Sequence, residues 1–295
     1  MIDRPVRSMS KNKLTTYFKN QLISFRKNFS NAYEKHDKKN IHRMRLSIKK
    51  LRAILSLGEI VCKGEFSKKE HITLFSKLFK KAGKVREVQM NLYLVEKHKS
   101  VKIPTLKKQL KDTLKKEIAA LDKEMNQFDF KKLNRLDREF LAQIKRFADN
   151  LIIAKGMNYL HKKYTLINKL KDQLPGHHQK LHKIRIHLKA MLEITIVIGK
   201  LKPSHEIKNQ QIIMKSLNNQ IGEWHDYLIF GNSLTSVNQK SLTREENKNL
   251  VKLIKHNEHK EKSLRKNIRE QLKLQLNRPF EFLTPEVIYD EEKRL

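Results

Sequence analysis

His42-Arg43-Met44-Arg45-Leu46-Ser47-Ile48-Lys49-Lys50-Leu51 is answered in the second half of the chain by His182-Lys183-Ile184-Arg185-Ile186-His187-Leu188-Lys189-Ala190-Met191. His42 matches His182, Arg45 matches Arg185 and Lys49 matches Lys189, with apolar residues at equivalent places. A second pair of segments keeps nearly the same separation: Gly83-Lys84-Val85-Arg86-Glu87-Val88 resembles Gly222-Glu223-Trp224-His225-Asp226-Tyr227. Two matches in one order at almost one offset are hard to attribute to biased composition, and self-similarity at a fixed spacing is the mark of a repeated structural unit. The reading is two related helical bundles, the first repeat over residues 1–155 and the second, with a C-terminal tail, over residues 156–295. The boundary is soft: only Gly156, within 155–158, hints at a linker.

The whole chain reads as all-α. Eight Gly and six Pro in 295 residues leave long Lys/Leu/Ile/Glu-rich runs uninterrupted, which favours helices joined by short connections. Leu14, Phe18, Leu22, Phe25 and Phe29 recur at helical steps and predict an amphipathic helix over about 12–33. A second helix begins near Asp37 and is expected to close around Gly58. A third covers 67–82 and runs past Gly83 to Leu92, a fourth follows Pro104 to about Met125, and one helical pattern extends from Leu133 to Ile153. The stretch from Phe280 to Leu295 loses this pattern and reads as a loosely attached tail.

At about 100° per residue, Lys38, His42, Arg45, Lys49 and Arg52 fall within one sector of roughly 80°. Ile41, Met44, Ile48, Leu51 and Leu55 fill the adjoining sector, so the cations lie beside the core and not opposite it. Arg43 and Lys50 point farther round towards solvent. In the second copy His178, His182, Arg185 and Lys189 form the same stripe beside Leu181, Ile184, Leu188 and Met191. An ordinary solvated face needs neither fixed spacing, nor His, nor a second copy. A phosphate site needs several fixed cations that converge: Arg offers a planar fork, Lys a point charge, and His extra charge when an anion favours its protonation. Further cations come from Lys77, Lys81, Lys84 and Arg86 in the first half and Lys215 in the second. Glu87 and Asp226 are expected to hold neighbouring Arg or Lys side chains by ion pairing.

These blocks resemble the CHAD domain (conserved histidine α-helical domain) family. His42-Arg43-Met44-Arg45 with Lys49 and Arg52, then Gly83-Lys84-Val85-Arg86-Glu87, match its His-x-x-Arg and Leu-Gly-x-x-Arg-Asp-like segments. His182-Lys183-Ile184-Arg185 with Lys189, then Ile221-Gly222-Glu223-Trp224-His225-Asp226, match them again, and the motif resemblance spans 42–230. It implies two four-helix bundles related by a pseudo-two-fold axis, a basic groove between them that binds inorganic polyphosphate, and no catalysis or cofactor. A cytoplasmic location in association with polyphosphate granules is the corresponding expectation. Four positions depart from the pattern: Ala190 and Leu192 stand where Lys50 and Arg52 do in the first copy, Glu87 replaces Asp, and His225 replaces Arg. The second half of the site is expected to be the weaker.

Charge supports an anionic partner independently of any family. With 65 Lys+Arg against 31 Asp+Glu the formal net charge is +34, far beyond what solubility requires. A nucleic-acid-binding helical protein is the competing reading, because charge alone does not separate a phosphodiester from a phosphoanhydride chain. Aromatics at 7% and the lack of finger-type or RNP-like motifs make stacking platforms scarce. The 13 His residues, with His177, His178 and His182 close together, suggest metal ligation, but the nearby Lys183 and Arg185 repel a cation, and no HExxH arrangement occurs. No cluster of carboxylates for Mg²⁺ and no phosphate-cradling Gly-rich loop argues for a polyphosphate hydrolase. The single Cys62, the lack of a transmembrane-length apolar run and the polar first ten residues fit a reducing cytoplasm and no membrane insertion.

Overall fold

Asn12 accepts a hydrogen bond from the Leu14 amide at 2.8 Å, capping the first helix of a computed structural model that describes residues 12–98, 101–174 and 178–276. Nine α-helices occur among the described residues: α1 (Lys13–Glu34), α2 (Lys38–Cys62), α3 (Lys68–Lys97), α4 (Pro104–Asn126), α5 (Phe130–Ile144), α6 (Asp149–Asp172), α7 (His178–Leu201), α8 (His205–Thr235) and α9 (Arg244–Leu276). A short 3-10 turn, Gln239–Ser241, precedes α9, and no strand occurs among the described residues. Local chemistry sets the starts. Asp37 accepts from the Asn40 amide at 2.7 Å before α2, Asp129 from Lys132 before α5 and Ser204 from Ile207 before α8, while Pro104 opens α4 where its missing N–H costs nothing.

Helix order repeats. The helices α6, α7, α8 and α9 begin at positions 149, 178, 205 and 244, where α1, α2, α3 and α4 begin at positions 13, 38, 68 and 104, so the shift between matching starts is nearly constant. Within each half the four pack in sequence, α1 on α2 on α3 on α4 and α6 on α7 on α8 on α9. This is compatible with a duplicated four-helix unit. The first half carries one helix more: α5 lies against α1, α2 and α3. Between halves, α2 meets α6 and α7, α1 meets α7, and α3 meets α8. One apolar core consequently runs through both, from Phe18, Phe25, Phe75 and Phe140 to Leu188, Met191, Ile198 and Trp224. A smaller cluster joins the ends of α3 and α8 to the starts of α4 and α9 through Leu94, Leu106, Phe230 and Leu250. No described helix is long and apolar enough to cross a membrane.

Two expectations need correction. Gly58 does not end α2. The helix continues to Cys62 and closes where Lys63 (φ 46°) and Gly64 (φ 98°) enter the left-handed region. Gly58 instead lets the Phe140 ring lie against the helix, since a Cβ there would sit 2.6 Å from Phe140 Cε2. The pattern from Leu133 to Ile153 is two helices, broken at 145–148, where Asn12 Nδ2 donates to the carbonyls of Ile144 and Phe147. The periodicity survives the break because both helices turn apolar residues, Phe140 and Ile144 and then Ile152 and Ile153, into the same core. The expected division at 155/156 falls inside α6, whose start at Asp149 matches that of α1. The Phe280–Leu295 tail and the His178 side chain lie outside the described residues.

Overpacking a fully buried contact costs about 1–3 kcal/mol. Gly58→Val is therefore expected to lower unfolding free energy by about that amount in urea titration, with Phe140→Leu in the same chain restoring part of the loss.

Candidate functional site

Apolar packing decides which faces of α2 and α7 meet. Ile41, Met44, Ile48, Leu51 and Leu55 on α2, and Leu181, Ile184, Leu188, Met191 and Ile194 on α7, are all buried. Since the basic stripe adjoins this row on each helix, packing the rows brings the stripes together at the edge of the core. His42 and His182 stand at the solvent edge, whereas Arg45, Lys49, Arg52, Arg185 and Lys189 are half-buried. Trp224, 1% exposed, anchors α8 by donating its indole N–H to Glu261 of α9, and thereby turns the adjacent His225 and Asp226 towards the stripe.

The cations act on one another across the two halves. Burial pushes the Lys189 ammonium down to about 7, helped by Arg185 on its own helix and by Lys49 and Arg45 on α2, with Asp226 opposing. Lys49 is likewise depressed, first by burial and then by Arg45, Arg185 and Arg86. Burial brings the Arg45 guanidinium down to about 10, with Arg86 and Arg52 adding to the effect. His42 is lowered by burial and then by Arg86, Lys49, Arg45 and Lys38, and His182 by burial, Arg185 and Lys189. Among the described residues, no carboxylate oxygen comes within 4.0 Å of Arg45, Lys49, Arg52, Arg86, Arg185 or Lys189. A set of mutually repelling, unpaired, half-desolvated cations is a site whose strain an anion relieves.

The two halves hold their arginines differently. Arg45 lies with its Cζ 4.0 Å over the Phe79 ring and donates Nη1 to the Phe79 carbonyl, while Arg52 covers the same ring at 5.0 Å. Gly83 makes room for it: a Cβ there would lie 2.9 Å from Arg45 Nη1. In the second half nothing lies within 4 Å of the corresponding point at Gly222, and Arg185 Nε is buried without a hydrogen-bond partner. Asn218, at the position equivalent to Phe79, turns inward to donate to the Leu188 and Met214 carbonyls. Arg185 and Arg86, from opposite halves, both stabilise the Asp226 carboxylate, although burial dominates and leaves it above the usual carboxylate range.

Other expected residues are placed less centrally. Lys38 Nζ rests 4.4 Å over the Tyr93 ring. Lys84 is exposed and pairs with Glu87 at 3.1 Å, so Glu87 holds a neighbour on its own helix, whereas Asp226 acts on Arg185, Arg86 and Lys189. Lys81 on α3 and the exposed Lys77 and Lys215 are not among the charges that act on His42, Arg45, Lys49, Arg185 or Lys189. Lys50 is half-buried and close enough to act on Glu193, whereas Arg43 is exposed. Two contributors, Phe79 and Glu193, escape the sequence reading, and a third, His225, enters it only as a departure from the family pattern. Phe79 lies two turns before Arg86, and Glu193 follows Lys189 by one turn. His225 packs against His182 with ring centroids 5.4 Å apart and is brought down to about 4 by burial and by Arg185, His182 and Lys189. Helical spacing is the signal available for Phe79 and Glu193.

The fold and site define a protein all-helical over the described residues, with a repeated helix order and a cluster of cations contributed by both halves. The chain belongs to the CHAD domain family, whose model matches residues 16–234. Among solved structures it is similar to the crystal structure of the CHAD domain from the plant Ricinus communis, with 16% sequence identity, 96% of this chain and 91% of that chain covered, and a TM-score of 0.63. No curated protein matches it.

Between about pH 7 and 10.5 the unfolded chain binds more protons at Lys189 than the folded chain does, so on its account stability rises with pH over that window. His225 acts in the same direction between about 4 and 6.5. Urea titrations are expected to find Lys189→Met more stable than the wild type at pH 7, with a shallower rise in stability towards pH 9.

Proposed function

We propose that this protein binds inorganic polyphosphate, without acting on it chemically, in the groove between α2 and α3 of one half and α7 and α8 of the other. The observation that carries the reading is the convergence of Arg45, Lys49 and Arg86 with Arg185 and Lys189, none of them ion-paired within the described residues. A linear polyphosphate delivers many charges along one line, which matches two rows of cations laid side by side. Membership of the CHAD family is consistent with it.

A nucleic acid is the second reading, and the aromatic residues near the groove weigh against it. Base stacking needs a free ring face. The Phe79 ring is covered by Arg45 and Arg52, and the Tyr93 ring by Lys38. These rings serve as rests for cations.

The test compares long-chain polyphosphate, short duplex DNA and single-stranded RNA at matched phosphate concentration and about 150 mM salt, because polyanion affinities depend steeply on salt. Polyphosphate is expected to bind most tightly. The triple substitution His42→Ala, Arg45→Ala, Lys49→Ala is expected to cost on the order of a hundredfold in polyphosphate affinity and to flatten the salt dependence. Equal binding of all three polymers, unaffected by the substitutions, would contradict the proposal.

A further inference from the structure

The groove has an acidic residue built into its cationic wall. Glu193 lies on α7 one turn beyond Lys189, on a helix that packs against both α2 and α1. It is half-buried, and no basic nitrogen comes within 4.0 Å of its carboxylate among the described residues. Lys49 and Lys50 face it from α2, Lys189 from α7 itself, and the Tyr17 phenol from α1. Its counterpart in the first half is Ala53, so this carboxylate belongs to the second half alone. Burial raises its protonation range, against the pull of Lys49, Lys50 and Lys189.

A carboxylate there strengthens no ion pair at contact distance, and it repels whatever anion enters between the stripes. Resting on the polyphosphate reading above, we propose that Glu193 sets an affinity threshold for the site: a negative charge close to Lys49 and Lys189 that weakens every bound anion, so that only polyanions of high charge density still bind. The physical logic is a threshold. The repulsion from one carboxylate is the same for any phosphate placed beside it, while the attraction grows with the number of charges the ligand sets against Arg45, Lys49, Arg86, Arg185 and Lys189 together. Polyphosphate separates successive charges by a single bridging oxygen. A nucleic acid separates them by a sugar and two ester oxygens, so it meets the same repulsion with fewer attractions. One carboxylate thus raises the number of attractions a ligand must supply before it binds.

Glu193→Gln keeps the shape of the side chain and removes its charge. Long-chain polyphosphate and single-stranded RNA are titrated, at matched phosphate concentration and fixed salt, into the wild type, Glu193→Gln and Glu258→Gln. Glu258 is an exposed residue of α9, a helix whose main packing is on α8 and α6, so its variant changes net charge equally outside the groove. Glu193→Gln is expected to tighten both ligands by a similar factor, on the order of tenfold, so that RNA too binds at concentrations where the wild type leaves it free. Glu258→Gln is expected to leave both affinities nearly unchanged. A Glu193→Gln variant that binds neither polymer more tightly, or a Glu258→Gln variant that tightens both as much, overturns the role of Glu193 alone. A wild type that binds both polymers alike overturns the polyphosphate reading and this inference with it.

Discussion

Everything at the cation cluster depends on the packing of α2 against α7. The residues that drive it, Ile48, Leu51 and their neighbours on one helix and Leu188 and Met191 on the other, are buried, and burial of each such side chain stabilises by roughly 1.5–3 kcal/mol as an upper estimate. Two like charges about 8 Å apart oppose one another by about 2 kcal/mol at an effective dielectric of about 20. The apolar rows outweigh a handful of such repulsions, and the cations have no freedom to separate because each stripe is on the same helix as the row beside it. Stability elsewhere thus holds a locally unfavourable arrangement in place, which is the usual relation between a binding site and its scaffold.

The repeat is closest in its backbone and loosest in its chemistry. Helix starts recur at nearly constant offsets, yet Arg52, Arg86 and Ala53 of the first half correspond to Leu192, His225 and Glu193 of the second. Phe79 and Gly83 hold Arg45 in one orientation, whereas Arg185 has open space at Gly222 and an unpartnered Nε. The first half therefore presents a rigid, strongly cationic surface. The second presents fewer cations, two carboxylates and a neutral histidine pair, an environment in which protonation and ligand identity have more influence.

Sequence reading reaches the fold class and the starts of α1 to α4, and it places the stripe residues on one helix face, because those follow from spacing alone. His42, Arg45 and Lys49 share a face of any helix through them, whatever that helix packs against. It misplaces the end of α2 because Gly58 looks the same whether it closes a helix or admits a ring, and only the position of Phe140, far along the chain on α5, distinguishes the two. It merges α5 with α6 because both continue one apolar period across a break set by hydrogen bonds from Asn12. Glu193 escapes it because the significance of that carboxylate lies in Lys49 and Lys50 of the other half, a long-range relation that periodicity does not encode. For the same reason Lys84 and Lys215 look equivalent to Arg86, which the packing of α3 against α2 and α8 separates from them.

The most direct measurement is a crystal structure of the protein with a polyphosphate chain bound. The account expects the chain to run between α2 and α7, touching Arg45 and Lys49 on one side and Arg185 and Lys189 on the other. A chain found on the outer, Lys-rich faces of α4 and α9, with those four side chains untouched, would contradict it.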